Sequence, residues 1–68
     1  MNPDTFNMSI RKFLKTVGVH SQREIETAVE RAMTAGKLKG SEKLDAKMTL
    51  VIEGLALSVN FDGRIELE

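Results

Sequence analysis

Val17-Gly18-Val19-His20-Ser21-Gln22-Arg23-Glu24 is the stretch on which the reading of the fold turns. Gly18 suits the left-handed position that ends a helix. Ser21 and Glu24 then form the reciprocal pair of a capping box. The Ser21 hydroxyl accepts from the Glu24 backbone N–H, and the Glu24 carboxylate reaches back to the Ser21 N–H. Val19 or His20 stands where it can staple against Ile25. The stretch therefore predicts one helix ending and another beginning, joined as an αα-hairpin or an angled pair.

The sequence on both sides carries helical patterning. Upstream, Asn2-Pro3-Asp4 has the residue types of a helix start: a side-chain acceptor, a proline at the first helical position and an acidic first turn. Phe6, Ile10, Phe13, Leu14 and Val17 follow along one stripe of a 3.6-residue period. Downstream, Ile25, Ala28, Val29, Ala32 and Met33 make a narrower stripe, and Gly36 is the stop signal. Lys37 to Asp45 is polar and reads as a loop, with Leu38 tucked beneath it.

From Ala46 the period changes to two. Ala46, Met48, Leu50 and Ile52 alternate with Lys47, Thr49, Val51 and Glu53. Beyond Gly54 the parity switches to Leu55, Leu57, Val59, Phe61, Ile65 and Leu67. A two-residue turn at Glu53-Gly54 accounts for the switch, setting Ile52 opposite Leu55, Leu50 opposite Leu57 and Met48 opposite Val59. A three-residue loop, Phe61-Asp62-Gly63, then sets Val59 against Ile65 and Leu57 against Leu67. The expected fold is α+β, with two N-terminal helices packed on a three-stranded antiparallel meander in a single domain, 1–68. The alternative is a two-stranded hairpin in which Gly54 marks a bulge. The expected core is Phe6, Ile10, Phe13, Leu14, Val17, Ile25, Val29 and Met33 from the helices, with Met48, Leu50, Ile52, Leu57, Val59 and Ile65 from the sheet.

Composition narrows the function. A chain of 68 residues supports one small core. It contains no cysteine, which removes disulfides and thiolate metal sites and fits a reducing cytoplasm. Apolar runs are too short to span a membrane, and no signal peptide is expected. Asn7-Met8-Ser9 matches a glycosylation sequon that has no meaning without secretion. Leu67-Glu68 has the form of a cloning remnant, but Leu67 fits the strand pattern and is read as native. Formal net charge is zero, against a strong polyanion binder. Residues 1–43 nevertheless hold eight Lys/Arg and five Asp/Glu, whereas residues 44–68 hold two and five. That asymmetry is either an incidental difference between solvated faces or the basis of head-to-tail or self-complementary association.

With these elements in place, the chain resembles an uncharacterised family of short bacterial proteins, a domain of unknown function. The resemblance rests on Asp4-Thr5-Phe6-Asn7, Ile10-Arg11-Lys12-Phe13-Leu14-Lys15, and Val17-Gly18-Val19 running into Ser21-Gln22-Arg23-Glu24-Ile25-Glu26. It continues in Gly36-Lys37-Leu38 and Met48-Thr49-Leu50. It implies a stand-alone bacterial protein and carries no activity or functional residue with it.

No residue pattern points to catalysis, a cofactor or a metal. His20 is the only histidine and reads as a junction or capping residue. Glu26 and Glu30 share a helix face with Arg23 and Arg31 nearby, the pattern of a solvated surface. No serine or threonine has the context of a nucleophile, and Gly36 and Gly40 lack phosphate-loop spacing. The basic residues Arg11, Lys12 and Lys15 on helix 1, with Lys37, Lys39 and Lys43 in the loop, are the candidate nucleic-acid contacts. Helix–turn–helix followed by strands superficially suggests a winged helix. Against it stand the three glutamates of helix 2, its lack of an Asn, Gln or Arg cluster for base edges, and the missing third helix; no exposed aromatic platform for single strands is expected either. The reading favours a non-catalytic cytoplasmic interaction or scaffold module, with a protein partner or a second copy as a homodimer. A weak nucleic-acid binder is the alternative. The first strand is also a candidate edge for strand addition, with Lys47 as its guard.

Overall fold

The computed structural model describes all 68 residues. In chain order it consists of α1 (Pro3–Thr34), β1 (Lys43–Ile52), a single 3₁₀ turn (Glu53–Leu55) and β2 (Leu57–Glu66). The chain divides into two compact units, Met1–Lys37 and Leu38–Glu68.

The first unit is one helix of 32 residues, not two. Its start is the expected one. Asn2 is the N-cap, and its side-chain oxygen accepts from the backbone N–H of Asp4 at 3.0 Å and Thr5 at 3.2 Å. Its end is also the expected one. Gly36 lies at φ +73°, its N–H donates to Met33 C=O at 3.0 Å, and the Lys37 N–H donates to Ala32 C=O at 2.9 Å. That pair of bonds is a Schellman motif.

The break expected at Gly18–Ser21 does not occur. Left-handed backbone is confined to Gly36, Gly40 and Ala56, so Gly18 keeps the right-handed conformation of its neighbours. The energetics favour continuity. A glycine inside a helix costs about 1 kcal/mol relative to alanine, and a good cap returns about the same. A break would further leave about four carbonyls and four N–H groups without helical partners. The side chains agree, because Val17, Ser21 and Ile25 continue at i, i+4, i+8 and Leu14 to Ile25 is eleven residues. Eleven residues make nearly three whole turns, which joins the two expected stripes into one. Thr16, two residues before the glycine, is accommodated by donating its hydroxyl to Lys12 C=O at 3.0 Å.

The second unit is a two-stranded antiparallel hairpin, which replaces the expected three-stranded meander. Ten pairs run without interruption from Lys43↔Glu66 to Ile52↔Leu57, and the Leu67 N–H adds a further bond to Glu42 C=O at 3.0 Å. The first turn is four residues rather than two. Glu53-Gly54-Leu55 form the 3₁₀ turn, and Ala56 closes it at φ 50°, ψ 36°, with its N–H on Glu53 C=O at 3.0 Å. A two-residue turn needs positive φ at its first position, which glutamate disfavours. The longer loop moves the register by two residues, so Leu50 faces Val59 and Met48 faces Phe61. Two strands is the number in the alternative expectation, but Gly54 here sits in the reversal itself and not in a bulge.

The second expected turn, at Phe61-Asp62-Gly63, is absent. Asp62 faces Lys47 and Gly63 faces Ala46 within the continuous strand. Running straight brings Lys43 opposite Glu66, Asp45 opposite Arg64 and Lys47 opposite Asp62, three pairs of opposite charge along one face. Between Asp45 and Arg64 the Oδ1–Nε distance is 3.7 Å. On the same face the Thr49 hydroxyl donates to Asn60 Oδ1 at 2.7 Å. A meander would exchange all of these for a third strand of a few residues. Lys43 to Asp45, expected in the loop, thereby belong to β1.

No residue is buried within either unit, so neither the helix nor the hairpin forms a core of its own from the side chains expected there. Phe6, Phe13 and Leu14 on the helix are about half exposed, as are Met48 and Phe61 on the hairpin. A single helix has nothing of its own to bury a stripe against. A lone pair of strands is equally unable to cover its own apolar face.

Candidate functional site

Because the strands alternate, the hairpin has two unlike faces. One carries the charge pairs, with Thr49–Asn60 and Val51–Ser58 completing it. The other is apolar along its length: Leu44–Ile65, Ala46–Gly63, Met48–Phe61, Leu50–Val59 and Ile52–Leu57. Ala46 and Gly63, the two smallest residues, face each other between the Leu44–Ile65 and Met48–Phe61 pairs and leave a notch in this surface. A Cβ added at Gly63 would meet nothing within 4 Å. A shallow depression lined by Asp45, Ala46, Lys47, Asp62 and Gly63 lies at the same level.

The helix has a comparable face, and it is graded. The N-terminal half of its stripe is large, with Phe6, Ile10, Phe13, Leu14 and Val17. The C-terminal half is built on Ala28, Val29 and Ala32, with Ile25 and Met33 as its larger members. Charge is graded in the same sense. Arg11, Lys12 and Lys15 outweigh Asp4 in the first half, whereas Glu24, Glu26 and Glu30 outweigh Arg23 and Arg31 in the second.

Of the six basic candidates, Arg11, Lys12, Lys15 and Lys37 belong to the first unit and Lys39 and Lys43 to the second. Arg11 and Lys15 are one turn apart on the helix. Lys37 follows Lys15 by 22 residues, on the order of 30 Å along a helix. Lys43 stands opposite Glu66 on the polar face of the hairpin. At Lys39 the backbone is engaged rather than the ammonium group. The Glu42 carboxylate accepts N–H bonds from Lys39 at 2.8 Å, Gly40 at 2.9 Å and Ser41 at 3.2 Å. Gly40 permits this turn by adopting φ +100°. The Lys39 bond, followed by those of the other N–H groups, holds the Glu42 carboxyl below its ordinary value of 4.5 against the opposing push of desolvation. These donors are the geometry that cradles an anion, and the chain's own carboxylate occupies it. His20 lies in mid-helix rather than at a junction or cap. Glu26 and Glu30 keep their shared helix face, and no group of three or more His, Cys, Asp or Glu side chains gathers into a metal-ligand set.

The hairpin's register and full-length pairing were hidden from a reading by apolar parity alone. The signal that marks them is the order of charges, Lys43, Asp45 and Lys47 against Asp62, Arg64 and Glu66, which pairs oppositely only when both strands run full length.

These features define a class: a small α+β chain made of one long amphipathic helix and one two-faced β-hairpin, each with an exposed apolar face. The chain belongs to a family of unknown function (DUF6494), whose model matches residues 1–68. No curated protein and no solved structure matches it. No helix is long and apolar enough to cross a membrane.

Proposed function

We propose that the protein is a non-catalytic interaction module that works by self-association. The observation that carries this reading is that both units present an apolar face and no side chain is buried within either unit. Isolated hairpins are marginal in water, and most helical stability in proteins comes from packing an amphipathic face. Chains of this size commonly compensate by oligomerising. The cysteine-free composition and the bacterial family resemblance support a bacterial cytoplasmic setting. Nucleic-acid binding through Arg11, Lys12, Lys15 and the loop lysines draws on less, since Lys43 faces Glu66 and the loop donors hold Glu42.

Sedimentation velocity from low micromolar to millimolar concentration tests the proposal. A dimer or higher species that dissociates on dilution is expected. A monomer throughout the range would remove the reading.

A further inference from the structure

We infer that the second copy docks helix against helix in antiparallel orientation, the Phe6–Val17 half of each α1 lying on the Ile25–Met33 half of the other. This rests on the self-association proposed above and adds the surface and the orientation. Two independent gradients along the helix lead to it.

The first gradient is size. Antiparallel packing centred near residue 19 sets Phe6 beside the partner's Ala32, Ile10 beside the partner's Ala28, and Val17 beside the partner's Ser21. Large meets small at these levels, while Phe13 meets the partner's Ile25, so the two axes can stay at one separation along the contact. Parallel packing would set phenylalanine against phenylalanine at one end and alanine against alanine at the other. The helices would then be held apart at one end and underpacked at the other.

The second gradient is charge. Arg11 and Lys15 flank the apolar stripe in the first half. In the second half Glu26 and Glu30 flank it on the same side. A two-fold axis perpendicular to an antiparallel pair brings like-sided flanks together, so the basic flank of one helix runs beside the acidic flank of the other. Parallel packing instead puts like-sided flanks on opposite sides of the seam, so the basic flank of one helix never meets the acidic flank of the other. The eleven-residue spacing of the stripe keeps it nearly straight, which suits a long side-by-side contact.

The native chain has no cysteine, so single introduced thiols report geometry directly. In the antiparallel pair, residue 10 of one helix and residue 10 of the other are 18 residues apart along the axis, about 27 Å. Disulfides require Cα atoms within about 7 Å. Full-length Ile10→Cys and Ala28→Cys, each oxidised alone, should give no covalent dimer, whereas their mixture should give the cross-linked heterodimer. Disulfide in either variant alone would overturn the orientation while leaving self-association intact. A wild-type dimer with no cross-link in the mixture would place the interface elsewhere and overturn the inference.

A second measurement leaves the apolar stripe untouched. Glu26→Lys with Glu30→Lys should weaken dimerisation by about tenfold, and adding Arg11→Glu with Lys15→Glu should restore it. Failure of the second pair to restore association would count against the antiparallel contact, and a wild-type monomer at every concentration would remove both this inference and the reading beneath it.

Discussion

Glu42 shows how much local structure one side chain can organise. Its carboxylate gathers three successive N–H groups just before β1, so its charged form belongs to the folded loop. The folded-state pKa is lowered, so the stabilisation is complete above the ordinary value of 4.5 and is lost as pH falls through the lower folded value. Thermal unfolding followed from pH 6 down to about pH 3 should therefore show a decline in stability that Glu42→Gln makes shallower. Gly36 is the other decisive residue. At φ +73° a Cβ meets no neighbour within 4 Å, so Gly36→Ala should cost about 1 kcal/mol through backbone strain alone. Chemical denaturation of the two proteins side by side measures the difference. Asn2 and Gly36 were both legible in the sequence because caps depend on a few adjacent residues. The role of Glu42 was not, since a glutamate in a polar loop carries no mark of where its carboxylate turns.

At the scale of elements, helix continuity and strand register decide everything downstream. In a continuous right-handed helix, Gly18→Ala should stabilise α1 by about 0.5–1 kcal/mol, because the added Cβ meets nothing within 4 Å of its own chain. A left-handed Gly18 at a helix end would give the opposite sign, and denaturant titration with helical circular dichroism distinguishes the two. For the hairpin, Lys47→Glu should destabilise by about 0.5–1 kcal/mol by facing Asp62, and Asp62→Lys in the same chain should recover the loss. A double-mutant cycle on thermal unfolding reads that coupling, which a meander turning at Asp62-Gly63 would not show. Legibility was uneven here for a physical reason. Apolar parity identifies which face a strand residue occupies but cannot see a two-residue slip, because both registers keep Leu50 on the same face. The Ser21-Gln22-Arg23-Glu24 box is a competent cap in isolation, yet helix residues tolerate it when the hydrogen-bond ladder can continue through it.

For the molecule as a whole, stability and assembly become the same quantity if the apolar faces are completed by a second copy. The unfolding midpoint should then rise with protein concentration over a hundredfold range, as mass action requires. A midpoint independent of concentration would separate folding from association. Sequence by itself determined the helical character of the stretches on either side of Gly18–Ser21, the strand character of Ala46 to Ile52 and of Leu57 to Asn60, the caps at Asn2 and Gly36, and which side chains share a face. Those properties follow from short-range periodicity and from the conformational limits of single residues. Only the tertiary structure decided that α1 is uninterrupted, that β1 and β2 pair over their full length, and that no side chain is buried within either unit. Each of these depends on backbone partners and cross-strand neighbours distant in sequence, and local signals at Gly18, Gly54 and Gly63 permit either outcome.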